Sequence, residues 1–255
     1  MRASTYVLLH GFAGAPSSWD LVAARLPPRA RLMRPALVGH AGPPTPDSPA
    51  SFAAEVARLA HLSGAADARG AHLVGYSLGG RLALGLVAHD PDLASRVTVI
   101  GAHPGLPEDD AVARADRAVT DERWARLLEE EGIERFAAAW AAQPLFASQE
   151  ELPAPVRAQL EAQRRGHEPR GLAHAMRALS LARMPDLRPA LARPGLPRIT
   201  FMAGLRDEKF AQLAAETATS LPAGRARSLI VPGAGHNLLL ERPAEVAIEL
   251  ASPKE

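Results

Sequence analysis

Gly75-Tyr76-Ser77-Leu78-Gly79-Gly80-Arg81 decides the fold of this chain. Just before it, Ala71-His72-Leu73-Val74-Gly75 is an apolar run of strand length. Just after it, Leu82-Ala83-Leu84-Gly85-Leu86-Val87-Ala88 predicts a buried helix. Strand, G-x-S-x-G and helix together make a nucleophile elbow, a strained turn that lifts a serine hydroxyl above the edge of a sheet. Glycines stand at 75 and 79 because a Cβ at either place would meet the neighbouring backbone. Ser77 then sits before a helix N-terminus, which stabilises nearby negative charge.

Around this turn lie 255 residues, 47% of them apolar, enough for one large domain with an insertion. A net charge of +1 argues against a polyanion-binding surface, so no nucleic-acid partner is expected. The absence of cysteine excludes disulfides, thiolate metal sites and a cysteine nucleophile. No histidine pair at ligand spacing is backed by carboxylates, so neither metal nor cofactor is expected. Met1-Arg2-Ala3-Ser4-Thr5 leads straight into an apolar strand without a signal-peptide pattern, and no apolar run reaches membrane-spanning length. The expectation is a soluble cytoplasmic protein with no membrane partner. Composition fixes no oligomeric state.

Short apolar runs at 6–9, 31–34, 71–75, 97–101, 198–203 and 228–231 predict strands buried in a mostly parallel sheet. Ser17-Ser18-Trp19-Asp20 is expected to cap a helix to about Leu26, and Ser51 one to about Ser63; Pro243 opens the last helix. Between 107 and 193 strand signals vanish. Helices are predicted at 109–119, 121–131, 133–141, 155–165 and 170–182, punctuated by prolines. This is the pattern of a helical cap at 107–193 inserted into an α/β core made of 1–106 and 194–255.

A serine hydroxyl needs an imidazole to take its proton, and the imidazole needs a carboxylate to hold its tautomer. Asp207 follows the 198–203 strand, and His236 follows the 228–231 strand. Ser77, Asp207 and His236 thus occur in the chain order and strand-end positions of the α/β-hydrolase fold, which is the fold class predicted here. In that fold the oxyanion hole takes one N–H from the loop after the first strand and one from the residue after the nucleophile. Those residues are Phe12, within His10-Gly11-Phe12-Ala13-Gly14, and Leu78. His10 is read as a brace for that loop rather than as the base. His40 and His103 are candidates to line the pocket, and the other histidines for surface or packing roles.

The motifs carry further. The chain resembles the 2-succinyl-6-hydroxy-2,4-cyclohexadiene-1-carboxylate synthase (MenH) family of menaquinone biosynthesis from about Leu8 to Ala247. The resemblance rests on Leu9-His10-Gly11-Phe12, on Tyr76 and Arg81 around the elbow, and on His103-Pro104-Gly105-Leu106. It rests also on Trp140 with Gln143-Pro144-Leu145-Phe146-Ala147-Ser148, on Ser180-Leu181-Ala182, on Arg206-Asp207-Glu208-Lys209-Phe210, and on Gly235-His236-Asn237. Three departures stand out. The family's Gly-His-Gly turn is Gly39-His40-Ala41 here, Ala141 replaces the tyrosine after the pocket tryptophan, and the chain begins at its first core strand without the leading strands common in the superfamily.

The resemblance implies a lyase that eliminates pyruvate from 2-succinyl-5-enolpyruvyl-6-hydroxy-3-cyclohexene-1-carboxylate. Ser77, activated by His236 and Asp207, would remove a carbon-bound proton. Phe12 and Leu78 would stabilise the enolate. A small polycarboxylate substrate calls for cations. Arg81 lies one helical turn beyond Ser77, on the same face. By motif, the resemblance adds Arg117 and Arg164 as substrate-binding arginines, with Arg165 a competitor for the second, and Tyr76, Trp140 and Lys209 as further lining. The alternatives are a carboxylesterase or carbon–carbon bond hydrolase using Ser77 as covalent nucleophile, and a non-catalytic binding protein, which would not need the three-residue set.

Overall fold

The computed structural model describes residues 4–252. The expected run-in at Met1-Arg2-Ala3 and the last few residues lie outside the described residues. Six strands form one parallel sheet: β1 (Thr5–Leu9), β2 (Arg31–Met33), β3 (Ala71–Tyr76), β4 (Ala94–Ile100), β5 (Ile199–Gly204) and β6 (Ala226–Val231). Their order across the sheet is β2-β1-β3-β4-β5-β6, so β3 and β4 are central and every strand points its carboxyl end the same way.

The helices are α1 (Asp20–Ala23), α2 (Phe52–Ala65), α3 (Leu78–His89), α4 (Ala111–Ala141), α5 (Ala154–Arg165), α6 (Pro169–Ala178), α7 (Arg188–Leu191), α8 (Glu208–Ser220), α9 (Leu238–Glu241) and α10 (Pro243–Ala251). Alternation along the strands divides the core. Val7 and Leu9 of β1 face one side, with Phe52, Val56, Leu82 and Leu86 of α2 and α3. Tyr6 and Leu8 face the other, with Val22, Leu239, Val246 and Leu250 of α1, α9 and α10. A third apolar cluster, Ala125, Leu128, Phe136, Leu172, Ala173 and Met176, ties α4 to α6 and, among the described residues, takes in Phe12 and Ala13 from the loop after β1. The far end of the helical segment is different: Leu181, Met184, Leu187 and Leu191 join the sheet's own core. Among the described residues no helix is long and apolar enough to cross a membrane.

Several boundaries move from their expected places. The helix expected from Asp20 to Leu26 is a single 3-10 turn, Pro16–Trp19, followed by the short α1. The break expected between Val119 and Asp121 does not occur, and α4 runs through it. Asp121 is drawn to Arg117 and Ser180 instead of capping a new helix, and the Thr120 hydroxyl donates back to the Asp116 carbonyl. The break expected near 132 is present: Gly132, at φ 78°, interrupts the helical backbone. α6 ends at Ala178, before the expected 182, and the following loop turns back toward the elbow.

Candidate active site

Ser77 sits between β3 and α3 with φ 51° and ψ −109°, a conformation that costs a non-glycine residue energy. Its N–H donates to the Ile100 carbonyl at 2.8 Å, which ties the turn to the end of β4. The elbow glycines are needed as the sequence indicates. A Cβ on Gly75 would lie 2.1 Å from the Gly79 carbonyl oxygen, and one on Gly79 would lie 2.2 Å from the Leu9 oxygen.

His236 Nε2 is 3.2 Å from Ser77 Oγ, and its Nδ1 is 2.6 Å from Asp207 Oδ2. Nδ1–H donates to the carboxylate, leaving Nε2 to accept from the serine. Asp207 has a second task, since its other oxygen accepts the Phe210 N–H at 3.4 Å and caps α8. His236 is 1% exposed, with the Phe210, Tyr76 and Phe146 rings around it at centroid distances of 4.8, 5.4 and 6.0 Å. Glu241 fixes the loop from below. It accepts the N–H of Gly235 at 2.6 Å and of Asn237 at 3.0 Å, one on each side of the histidine, and the Ser148 hydroxyl at 3.1 Å.

The loop after β1 is braced by histidines. His10 Nε2 accepts the Leu37 N–H at 3.2 Å, and its Nδ1–H donates to the Gly11 carbonyl at 2.9 Å. His10 is a brace, as expected. His40 does not line the cavity. It lies beneath the loop, where Nε2 accepts the Ala13 N–H at 3.1 Å and Nδ1–H donates to Val38 at 2.9 Å. Its ring packs edge-on against His10, Phe12 and His167. Burial lowers His10 to about 4 and holds His40 well below its ordinary value, so both stay neutral acceptors at pH 7. Phe12 and Leu78 both border the cavity, and neither N–H donates to a protein acceptor among the described residues.

A cavity of about 520 Å³ opens above Ser77, bordered by Phe12, Tyr76, Ser77, Leu78, Arg81, His103, Arg117, Trp140, Arg164, Lys209 and His236, with Asp207 behind. Arg81 donates from Nη1 to the Leu179 carbonyl at 2.8 Å and has no carboxylate partner among the described residues. Burial lowers its pKa to about 9, with Arg117 pushing the same way and Asp121 opposing. Arg117 is paired with Asp121 at 2.8 Å. Arg164 is 8% exposed and likewise lacks a carboxylate among the described residues. Its Nη2 donates to Gln149 Oε1 at 2.9 Å and its guanidinium lies 5.2 Å from the Phe146 ring centroid. Arg165 pairs with Glu134 and Glu161 at the surface, so Arg164 is the arginine at the cavity. Trp140 stacks on Phe136 at 5.4 Å and packs against Phe12. Burial raises the Tyr76 phenol, which stays protonated.

Sequence reasoning missed Gln149, Asp121, Glu241 and the aromatic pair Phe146 and Phe210. Asp121 had a local signal, since it lies four residues after Arg117 on one helix. Phe146 and Phe210 lie inside motifs already singled out. Gln149 meets Arg164 only through tertiary structure.

The chain matches the Alpha/beta hydrolase family over residues 6–250. A relative from Enterobacter sp. (strain 638), named 2-succinyl-6-hydroxy-2,4-cyclohexadiene-1-carboxylate synthase, is 36% identical over 96% of this chain and 89% of its own. The structure of MenH from S. aureus superposes with a TM-score of 0.88 at 27% identity, covering 97% of this chain and 91% of that one. A thermophilic esterase from Thermogutta terrifontis shares the fold, with a TM-score of 0.80 at 21% identity over 97% of this chain and 88% of that one. A serine–histidine–aspartate set at the strand ends, a cationic cavity above it and likeness over nearly the whole length agree: the chain belongs to the alpha/beta hydrolase family and, within it, to the 2-succinyl-6-hydroxy-2,4-cyclohexadiene-1-carboxylate synthases.

Proposed function

We infer that the protein is a carbon–oxygen lyase of menaquinone biosynthesis. It eliminates pyruvate from 2-succinyl-5-enolpyruvyl-6-hydroxy-3-cyclohexene-1-carboxylate to give 2-succinyl-6-hydroxy-2,4-cyclohexadiene-1-carboxylate. The observation that carries this reading is a pair of guanidiniums, part-buried Arg81 and buried Arg164, that form no ion pair among the described residues and share one cavity with Ser77. A buried cation that its own protein leaves unneutralised is costly. A substrate bearing several carboxylates supplies the missing charge. An ester substrate without charge does not.

In this reading His236 takes the Ser77 proton, and the serine oxygen removes a proton from a ring carbon. The C–H electron pair moves into a new ring double bond, the bond to the enolpyruvyl oxygen breaks, and pyruvate leaves after its enolate gains a proton. The Phe12 and Leu78 N–H groups stabilise the enolate charge that develops on the substrate. Arg81, Arg117, Arg164 and Lys209 hold carboxylates, with Tyr76 and Trp140 shaping the cavity. Residues 107–193 serve as the cap, supplying Arg117, Trp140 and Arg164 from above, over a core of 1–106 and 194–255.

The test is pyruvate release from the cyclohexene substrate in a coupled assay, run beside hydrolysis of a p-nitrophenyl ester. Pyruvate is expected, with little or no ester turnover, and Arg81→Ala is expected to lose most of kcat/KM. Fast ester turnover with no pyruvate would establish the serine-hydrolase alternative instead.

A further inference from the structure

His103 follows β4, the strand beside the elbow strand, and borders the cavity above Ser77. Its Nδ1 accepts the Gly105 N–H at 3.1 Å. That bond fixes the tautomer of a neutral ring: the proton is on Nε2. Nε2 has no protein partner among the described residues. Around the ring are cations from four elements: Arg81 on α3, Arg117 on α4, Arg188 on α7 and Lys209 on α8. Arg117 and Arg188 carry their own carboxylates, Asp121 and Asp186. Burial and these cations hold His103 at about 4, well below an ordinary histidine.

A neutral N–H donor, bordering a cavity whose nearby charges are positive, is matched by an anionic oxygen that the protein itself does not provide. We propose that His103 is a substrate-contacting residue whose Nε2–H donates to a carboxylate oxygen of the substrate, at the end of the cavity where Arg81 and Lys209 draw that carboxylate. The assignment rests on the lyase reading of the site and adds a neutral donor to its cations. A neutral ring is the better choice there, because a further positive charge would be repelled by Arg81 in the free enzyme.

Two substitutions separate this contact from a merely structural turn. In His103→Asn the amide oxygen takes the Nδ1 position and keeps the Gly105 bond, with no donor at the Nε2 position. In His103→Gln the amide N–H reaches the Nε2 position. For pyruvate release, His103→Asn is expected to raise KM roughly tenfold or more, the range for a hydrogen bond to a charged group, with kcat changed less than about twofold. His103→Gln should recover most of that loss. An unchanged KM in His103→Asn overturns the contact. So does a fall in kcat shared by both variants at constant KM, which is the mark of a turn role alone.

Calorimetric titration with citrate, a tricarboxylate, reads the same contact without turnover, and His103→Asn should weaken it by a similar factor. A wild-type protein that binds citrate in a His103-dependent way but releases no pyruvate would remove the lyase reading and leave the contact. Pyruvate release with citrate and substrate binding both indifferent to His103 would do the reverse. Neither pyruvate release nor citrate binding by the wild type would remove both.

Discussion

The sheet side and the helical side of the cavity hold their functional groups by different means. Ser77, Asp207 and His236 follow β3, β5 and β6, and main-chain bonds fix each of them. The Ser77 N–H is held by Ile100, the Asp207 N–H by Gly204, and the two N–H groups flanking His236 by the Glu241 carboxylate. Arg117 and Arg164 come from α4 and α5 and are steered by side chains alone, Asp121 for one and Gln149 for the other. A parallel ladder repeats its geometry from strand to strand, so the pairing register fixes where the groups at its carboxyl ends stand relative to one another. The second side adds charge and shape through Arg117, Trp140 and Arg164. In the proposed reading the sheet side carries the chemical step, and binding is shared between Arg81 and Lys209 on its own helices α3 and α8 and Arg117 and Arg164 from α4 and α5.

The sharpest way to break the division is Ser77→Ala. Removing a member of such a triad lowers kcat on the order of 10⁴-fold in related chemistry, and substrate binding should change little because the cations remain. Single-turnover pyruvate release and equilibrium binding of substrate measure the two separately. A variant that kept a tenth of the wild-type rate would move the seat of chemistry away from the sheet side.

The same division explains what was legible beforehand. The elbow, the order of its partners and the six strands were readable because each has a local signature: glycines where a Cβ would collide, apolar runs of strand length, an acid and a histidine just past such runs. Arg81 was readable because one helical turn fixes its direction relative to Ser77. Arg117, Trp140 and Arg164 came only through family likeness, since nothing local marks a helix face as cavity-lining when the covering element lies elsewhere in the chain. Gln149 and Glu241 were not readable at all. Gln149 reaches Arg164 only through tertiary packing, and Glu241 takes main-chain N–H groups four and six residues before it, bonds that no residue type marks in advance. The uninterrupted course of α4 through Thr120 was missed for the same reason: Asp121 has the residue type of a cap, but its partners Arg117 and Ser180 hold it within the helix.

Next in size is a pH effect, and it sharpens the comparison because the histidine stack spans both sides. His10 and His40 belong to the sheet side, and His167 lies between α5 and α6. Burial is the main reason all three are lowered. In the unfolded chain they protonate near 6.5, whereas folded His10 does so only at about 4. Between those values the unfolded state binds more protons, so stability is fully present above pH 6.5 and falls as pH drops toward 4. His10 alone accounts for about 3 kcal/mol across that interval. Urea unfolding at pH 7, 5.5 and 4.5 measures it. Glu122, held at about 2 by Arg177, starts to lose its own contribution only as the unfolded carboxyl protonates near 4.5, so the fall between pH 7 and 5.5 belongs to the lowered histidines, His103 among them, and the His10→Gln comparison isolates the stack. His10→Gln should be less stable at pH 7 but lose less on acidification. Equal slopes for both proteins would show that the stack does not carry the effect.

The smallest expected effects separate the two layers of the helical side. Arg164→Ala removes a charged contact to substrate and should cost about 1.5–3 kcal/mol in kcat/KM, mostly through KM. Gln149→Ala leaves the guanidinium in place but removes the acceptor that aims it, and should cost roughly 1 kcal/mol, the range of one hydrogen bond. If Gln149 works only through Arg164, its removal has no further effect once the arginine is gone, and the double variant should match Arg164→Ala alone. Simple additivity would mean that Gln149 touches substrate by itself. Its buried Nε2, which has no partner among the described residues, would then be the group responsible. The cycle therefore decides whether substrate recognition from the helices stops at the arginine or extends to the amide behind it.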